Sequence, residues 1–237
     1  MAEKSFRDGK FSDEQMARLR KFKLWMTPVR LVIALSVFSL AAGGPRRFFS
    51  EIPGLAFSIL FAIFIVLERV FQPPDFGGEG KDKDSITLGW VAFGGTYALS
   101  IADWYLIRPR WAFLQWNWWW LLAAVVLVAL GSIIRVIAIR RLGRFFTTRV
   151  RLHDGQNLIK EGFYKYVRHP AYTGLLIGTL GCITIFASVL GYGLFVLLVV
   201  PAMLYRIRVE ELALAERFGD EYVEYCKKTK RLIPFIY

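Results

Sequence analysis

The sequence predicts an all-α, polytopic integral membrane protein with about six transmembrane helices, and three observations indicate this fold class. Hydrophobic residues make up 55% of the 237 residues, whereas charged residues make up only 21%. Uncharged apolar runs that approach the roughly 20 residues needed to cross a bilayer recur along the chain. The net charge of +12 comes from Lys and Arg that lie between these runs, as in cytoplasmic segments of membrane proteins. Membrane lipid is therefore the expected surrounding, and nucleic acid is not expected as a partner.

The N-terminal half is predicted to contain one surface helix and four spans. Residues 1–27 form a cytoplasmic amphipathic segment, in which Ser12 and Gln15 have the spacing of a capping box. Residues 28–130 hold the N-terminal transmembrane helices, and the fourth span extends beyond them into the C-terminal core, 131–237. The predicted spans are 28–43, 52–70, 86–106 and 116–139. The tryptophans that open the fourth span favour an interfacial belt over cofactor stacking.

The C-terminal core is predicted to fold back on itself within the membrane. No charged residue occurs between Tyr172 and Tyr205, and one helix of that length would be about 50 Å long, which exceeds the hydrocarbon layer. We therefore predict a tight hairpin of spans 172–189 and 193–207 with its break at Gly191-Tyr192-Gly193, followed by an amphipathic helix over 212–228. Six spans place both termini on the side with most Lys and Arg, which is cytoplasmic by the positive-inside rule.

Two polar segments flank this hairpin and carry the candidate functional residues. The first, residues 162–174, reads Gly-Phe-Tyr-Lys-Tyr-Val-Arg-His-Pro-Ala-Tyr-Thr-Gly and contains Arg168 and His169. Pro170 suits the first turn of a helix, while Gly162 and Gly174 allow close backbone approach. The sequence alone leaves two interpretations open, a ligand site or an interfacial anchor.

The second polar segment, Arg206-Ile207-Arg208-Val209-Glu210-Glu211, closes the last span. Paired acids beside paired bases can be an ion-pair cluster without further function. Acids at the depth of a helix end are costly unless they have a partner, so we expect one such as Arg168 or a bound cation. No phosphate-cradling glycine loop or paired metal-ligand motif occurs in the sequence, and no metal site is predicted. The two cysteines, Cys182 and Cys226, are too few for a disulfide framework.

Taken in order along the chain, four motifs resemble those of the isoprenylcysteine carboxyl methyltransferase family. They are Gly-x-Tyr-x-x-x-Arg-His-Pro-x-Tyr-x-Gly at 162–174, the helical hairpin with Glu210-Glu211, the Phe-Gly-Asp-Glu-Tyr run from residue 218, and Ile-Pro-Phe at 233–235. The similarity covers roughly residues 130–237. One departure lies ahead of the first motif, where family members commonly have Gly-His-x-Leu and this chain has Gln156 in place of the histidine.

The resemblance implies a methyltransferase that transfers the methyl group of S-adenosylmethionine to the carboxylate of a prenylated cysteine. It implies that the cofactor is surrounded by Tyr164, Arg168, His169, Pro170, Tyr172, Glu210 and Glu211. By the same resemblance Arg206 lies near the substrate carboxylate, and Arg206, Glu211 and Arg168 are the catalytic candidates. Such a reaction needs alignment and removal of water more than proton transfer, because a carboxylate is already ionised near pH 7.

Other functions fit the same C-terminal pattern, which is also similar to membrane sterol reductases and to phospholipid and thiol methyltransferases. We rank carboxyl methyl transfer first, methyl transfer to another lipid, amine or thiol second, and an NADPH-dependent reductase third. A non-enzymatic membrane scaffold is the alternative from a different class. Cofactor binding separates these functions, because the first two need S-adenosylmethionine, the third needs NADPH and the scaffold needs neither.

Overall fold

The structure, a computed structural model, describes residues 13–72, 83–107, 115–146 and 157–233. Ser12, Gln156 and the Pro234-Phe235 pair of the last motif lie outside these ranges. The described residues are mostly helical, and Val167 and Lys230 form an isolated parallel bridge outside any strand. The helices are α1 (Asp13–Ala41), α2 (Pro45–Ser50), α3 (Ile52–Phe71), α4 (Lys83–Ala102), α5 (Trp118–Leu142), α6 (Pro170–Thr184), α7 (Val189–Leu194), α8 (Val200–Phe218) and α9 (Asp220–Lys228). The predicted all-α membrane architecture is confirmed at this level.

Five stretches of the described residues are long and apolar enough to cross a bilayer: 24–41, 52–71, 84–107, 118–142 and 189–218. The sixth predicted span, 172–189, corresponds to α6, which has 15 residues. At 1.5 Å per residue α6 is roughly 22 Å long, short of the roughly 30 Å hydrocarbon layer. The count of six spans therefore stays a prediction.

The surface helix and first span that the sequence separates are one continuous helix, α1. Pro28 lies inside this helix without ending it. A proline removes one intrahelical hydrogen bond, and apolar residues on both sides continue the helix through that position. The fourth span begins where Asn117 caps α5, with its side chain accepting a hydrogen bond from the amide of Trp119.

The hairpin break predicted at Gly191-Tyr192-Gly193 is wrong. These residues lie inside α7, and the chain turns instead at residues 185–188, where Ala187 has a φ of 45°. Ser188 then caps α7 by accepting a hydrogen bond from the Gly191 amide at 2.8 Å. A Cβ on Gly191 would lie 2.3 Å from the Ser100 hydroxyl oxygen. This glycine therefore allows close helix packing and does not form a turn.

The prediction of one amphipathic helix over 212–228 is wrong, because these residues are divided between two helices, α8 and α9. The end of the last span and the residues that follow it lie in one helix, α8, which ends at Phe218, and Gly219 adopts a φ of 52° before α9 begins. A positive φ favours glycine, and Gly219 therefore explains why the helix ends at Phe218, six residues after Leu212.

Close packing of α5 on α6 positions the first polar motif. A Cβ on Gly131 would lie 2.4 Å from the Gly178 amide nitrogen, and one on Gly174 would lie 2.6 Å from the Gly131 carbonyl oxygen. Only glycine fits at this contact. Small residues are typical of places where membrane helices approach each other closely. The predicted close backbone approach at Gly174 is confirmed, and it fixes residues 168–172 beside the end of α5.

Candidate active site

Within the first polar motif, residues 162–169 form a turn that leads directly into α6. Gly162 has a φ of 63° and starts a short 3₁₀ turn that ends at Lys165. Pro170 occupies the first turn of α6, as its sequence position predicts. His169 stands just before the helix, so its side chain and that of Arg168 leave the turn at a helix end.

The C-terminal segment holds this turn through its main chain. The Arg168 amide donates to the Lys230 carbonyl at 2.7 Å, and the His169 amide donates to the Arg231 carbonyl at 3.0 Å. The Thr173 hydroxyl donates to the Leu232 carbonyl at 2.8 Å. Residues 230–232 therefore act as a clip that aligns the first polar motif against the end of α9.

Glu211 is enclosed by two arginines. Arg168 Nε donates to Glu211 Oε1 at 2.8 Å, and Arg231 Nε donates to Glu211 Oε2 at 2.9 Å. The side chains of Arg168 and Glu211 are only 10% and 12% exposed, so this is a largely buried pair. Arg168 Nη1 also donates to the Thr229 carbonyl at 2.6 Å, whereas Arg168 Nη2 makes no hydrogen bond to the described residues. The sequence predicts a partner such as Arg168 for an acid of this segment, and Glu211 forms that pair.

Glu210 points into a more open environment than its neighbour. Tyr172 donates its hydroxyl to Glu210 Oε2 at 2.6 Å, and His169 Nδ1 lies 3.9 Å from Glu210 Oε1. The Glu210 side chain is 31% exposed, against 12% for Glu211. His169 Nε2 is buried, makes no hydrogen bond among the described residues, and lies 3.5 Å from the nearer oxygen of Glu211.

Arg206 joins this cluster from α8. Its Nε donates to the Tyr172 hydroxyl at 2.9 Å and its Nη1 donates to the Ser85 hydroxyl of α4 at 3.1 Å. The whole residue is 7% exposed. Tyr172 thus links the guanidinium of Arg206 to the carboxylate of Glu210.

A further arginine, Arg135 of α5, lies in the same region and was missed by the sequence analysis. Its Nη2 donates to Glu68 Oε1 at 2.7 Å and its Nη1 donates to the Ala171 carbonyl at 2.8 Å, while its Nε is buried without a hydrogen bond among the described residues. The sequence did contain a signal, because Arg135 is a charged residue inside the predicted span 116–139. A charge in lipid is costly, so such a residue indicates a functional site or a buried partner. Glu68, inside the predicted span 52–70, carried the same signal, whereas Ser85 carried none. Neither pairing could be predicted, because the partners are 67 and 121 residues apart.

One continuous cavity of about 570 Å³ connects these groups. Of the eight predicted site residues, six line it: Tyr164, Arg168, His169, Tyr172, Arg206 and Glu210. Pro170 and Glu211 do not line it. From this charged end the cavity continues between α1, α3 and α4 as an apolar corridor. The arrangement can place a charged ligand and a lipid chain in one continuous space.

Tyrosines outside the spans complete the charged end. Burial raises the pKa of Tyr164 well above its ordinary value, and the negative charge of Glu210 raises it further. Burial likewise raises the pKa of Tyr225, whose hydroxyl donates to the Tyr164 carbonyl at 2.6 Å. Burial and the nearby Glu211 raise the pKa of Tyr222. All three hydroxyls are therefore neutral at physiological pH.

The charged end suits an organic zwitterion better than a metal ion. Among the described residues no group of three or more His, Cys, Asp or Glu side chains is placed to hold a metal ion. Arg168 offers one unused guanidinium nitrogen, and Glu210 offers a carboxylate oxygen that makes no short hydrogen bond. A ligand that carries both a carboxylate and a cationic nitrogen matches this pair.

Comparison with known proteins identifies the core of the site. The sequence model of the isoprenylcysteine carboxyl methyltransferase family matches residues 123–216. The chain is similar to this family over that segment. The resemblance predicted from the ordered motifs is thereby confirmed, and Arg135, Arg168, Arg206 and Glu210 all lie within the matched segment.

Curated relatives carry the same family name. A probable protein-S-isoprenylcysteine O-methyltransferase of Oryza sativa subsp. indica is 36% identical over 121 residues, which are 50% of this chain and 63% of the relative. The Saccharomyces cerevisiae protein-S-isoprenylcysteine O-methyltransferase is 34% identical over 113 residues, 47% of each chain. The chain thus matches less than two thirds of either relative. A solved structure of a eukaryotic intramembrane Ras methyltransferase has 19% identity and a TM-score of 0.41, covering 89% of this chain and 85% of that one.

The family segment does not include every residue of the cluster. Glu68 and Ser85 come from the N-terminal half, and Arg231 comes from the C-terminal clip. Each of them hydrogen-bonds a side chain within the isoprenylcysteine carboxyl methyltransferase segment. Residues outside the matched family region therefore complete the site.

Proposed function

We propose that this protein transfers the methyl group of S-adenosylmethionine to the carboxylate of a prenylated cysteine or a similar lipophilic acid. The observation that carries the proposal is the single cavity with a charged end and an apolar corridor. A polar cofactor and a lipid-linked acceptor need such a space, because each must reach the same point from a different phase. The similarity of residues 123–216 to the methyltransferase family supports the same reaction.

The residues of the charged end fit S-adenosylmethionine in their chemistry. Arg168 can bind the cofactor carboxylate through Nη2, and Glu210 can pair with the cofactor ammonium group through Oε1. Both residues line the cavity, and neither atom makes a short hydrogen bond to the described residues. The buried Nε2 of His169 is an unused polar atom at the same place. Tyr164, Tyr222 and Tyr225 provide aromatic walls for the adenine ring.

When bound, the cofactor would supply a sulfonium methyl group to the acceptor oxygen, with the electrons of the methyl–sulfur bond kept on sulfur. No proton moves in this step, so the site needs no general base. What the protein must supply is alignment and a water-poor environment, which together lower the barrier without acid or base chemistry.

Arg206 is the residue best placed to orient the acceptor carboxylate. It is fixed on two sides, by Tyr172 and Ser85, and it lies where the charged end meets α4 of the corridor. A planar guanidinium can hold a carboxylate in one orientation through paired hydrogen bonds. Glu211, which does not line the cavity, is a positioning residue that keeps Arg168 in place.

The proposed orientation has both termini on the cytoplasmic side. The C-terminal ends of α3 and α5, which carry Arg69 and Arg140, lie at the charged end of the cavity with residues 206–210 of α8, and α6 begins there after Arg168. Positive charge of this density is typical of cytoplasmic membrane faces. The cofactor would then enter from the cytosol. The proposed organisation is an N-terminal segment, 1–27, a set of transmembrane helices, 28–130, and the catalytic core, 131–237.

The test uses purified full-length chain, methyl-labelled S-adenosylmethionine and S-farnesyl-N-acetylcysteine as the acceptor. We expect label in a methyl ester, which mild base releases as methanol, and no transfer to the matched carboxamide acceptor. Arg206→Ala should lower turnover by about one to three orders of magnitude with little change in cofactor affinity. Arg206→Lys should restore little of the lost turnover, because an ammonium group cannot form the paired hydrogen bonds of a planar guanidinium.

The acceptor comparison also separates the alternatives. Base-stable label in an amine or thiol acceptor, with none in the carboxylate, would replace this proposal with methyl transfer to another acceptor. Full activity of Arg206→Ala would remove Arg206 from its proposed role while leaving the reaction itself in place.

A further inference from the structure

The apolar corridor has a lateral opening and a closed inner end. Val37 of α1 and Trp90 of α4 line the cavity and are 56% and 68% exposed, so the corridor opens toward the lipid between these two helices. Gly89 and Gly94 of α4 also line it, and a Cβ built on either would meet nothing within 4 Å. These glycines keep the corridor wide along its α4 wall.

Three aromatic rings close the inner end, and we name them the aromatic floor: Phe38, Phe61 and Tyr97. Their centroids lie 5.6 to 5.8 Å apart in edge-on contacts, and all three rings line the cavity. Phe57 packs against all three rings and does not line the cavity. The floor is therefore backed by solid core, and a chain that reaches it can go no deeper.

The depth of the apolar part can be measured along α4. Apolar lining begins at Ile86 and ends at Ala98, next to the floor residue Tyr97, which is roughly 18 Å at 1.5 Å per residue. An isoprene unit adds four chain bonds of about 1.5 Å each, or roughly 5 Å when extended. Three units therefore fill the corridor from the charged end to the floor, and a fourth unit exceeds it.

We infer that the aromatic floor of Phe38, Phe61 and Tyr97 sets the length of the isoprenoid chain that this protein accepts, with three units preferred over four. This inference rests on the proposed function, because it assumes that the acceptor has its carboxylate at the charged end and its prenyl chain in the corridor. The floor comes from α1, α3 and α4, outside the segment that matches the family.

Two substitutions should move the preference in opposite directions. Phe38→Ala removes one ring of the floor and deepens the corridor, so the ratio of kcat/KM for the four-unit acceptor to that for the three-unit acceptor should rise about tenfold or more. Gly94→Leu places a side chain three residues, or about 4.5 Å along the helix, before Tyr97. It should shift the preference toward a two-unit chain by a similar factor.

Matched controls lie beside each substituted residue. Leu40→Ala changes a residue of α1 that is 70% exposed and does not line the cavity. Gly95→Leu adds the same side chain next to Gly94, at a position that also has open space around its Cβ and does not line the cavity. Both controls should leave the chain-length ratios within about twofold of the wild-type values.

The experiment measures methyl transfer to N-acetylcysteine bearing two, three or four isoprene units, and equilibrium binding of the same three probes. A ratio between acceptors does not depend on the fraction of folded protein, so a structural defect alone does not produce the expected shift. Ratios in Phe38→Ala and Gly94→Leu that equal the wild-type ratios would overturn the inference even if methyl transfer is fast. If no probe is methylated but the binding ratios shift in opposite directions, the floor stands and the proposed function fails.

Discussion

Glu210 and Glu211 are adjacent acids for which the structure predicts opposite consequences of the same substitution. Glu210 lines the cavity, is 31% exposed and accepts one hydrogen bond, from Tyr172. Glu211 does not line the cavity, is 12% exposed and accepts hydrogen bonds from Arg168 and Arg231. Substitution by Gln removes the charge and keeps the shape, so each variant tests one carboxylate charge.

Glu210→Gln should mainly weaken cofactor binding. A charge-assisted hydrogen bond to the cofactor ammonium is worth about 2 kcal/mol, which corresponds to a roughly 30-fold increase in Kd. The free energy of unfolding should fall by less than about 1 kcal/mol, because Gln still accepts from Tyr172 and part of the side chain reaches solvent.

Glu211→Gln should mainly destabilise the fold. Breaking a buried ion pair costs about 3–5 kcal/mol, but Arg231 is 40% exposed and Gln retains one acceptor oxygen. We therefore expect a loss of about 2 kcal/mol. Cofactor affinity should fall less than about fivefold, through a less fixed Arg168.

The assay combines calorimetric titration of S-adenosylmethionine with denaturant unfolding of the same detergent-solubilised preparations. The expected result is a crossed pattern, with affinity lost in Glu210→Gln and stability lost in Glu211→Gln. The reverse pattern, in which Glu211→Gln loses more affinity and keeps wild-type stability, would refute the assignment of Glu211 as a positioning residue.

Three further predictions follow from the fold, the motif turn and the charge distribution. Gly174→Ala should destabilise the protein by about 1–3 kcal/mol because its Cβ would lie 2.6 Å from a backbone oxygen, whereas Gly193→Ala, with open space at its Cβ, should unfold like wild type in a denaturant titration. Arg168→Lys should raise the Kd for S-adenosylmethionine at least tenfold in the same calorimetric assay, because one ammonium cannot serve Glu211, the Thr229 carbonyl and the cofactor together. Cysteines introduced near Lys10 and Lys228 should both react with an impermeant thiol reagent only from the cytoplasmic side, and labelling from opposite sides would contradict the proposed orientation.

The residues of the two polar segments could be predicted from the sequence because each motif is local. Pro170 at the start of a helix and Gly174 at a close contact follow from the properties of single residues, and the structure confirms both. An acid at a helix end needs a partner, which led to Arg168 as the candidate for Glu211.

The contributions of the N-terminal half could not be predicted, because they depend on contacts between residues far apart in sequence. Glu68 reaches Arg135 and Ser85 reaches Arg206 only after the helices have packed, and no periodicity encodes either pair. The hairpin break was misplaced for a different reason. Gly191 and Gly193 are compatible with a helix in lipid, whereas the turn uses Ala187 at a positive φ, which its residue type does not signal.

The central claim is that the charged end of the cavity is a site for S-adenosylmethionine, and ligand titration tests it most directly. Purified wild-type protein and Glu210→Gln are titrated by calorimetry with S-adenosylmethionine and, separately, with NADPH. The account predicts saturable one-site binding of S-adenosylmethionine to the wild type, a roughly 30-fold weaker Kd for the variant, and no binding of NADPH. Saturable binding of NADPH with none of S-adenosylmethionine would contradict it and would favour a reductase.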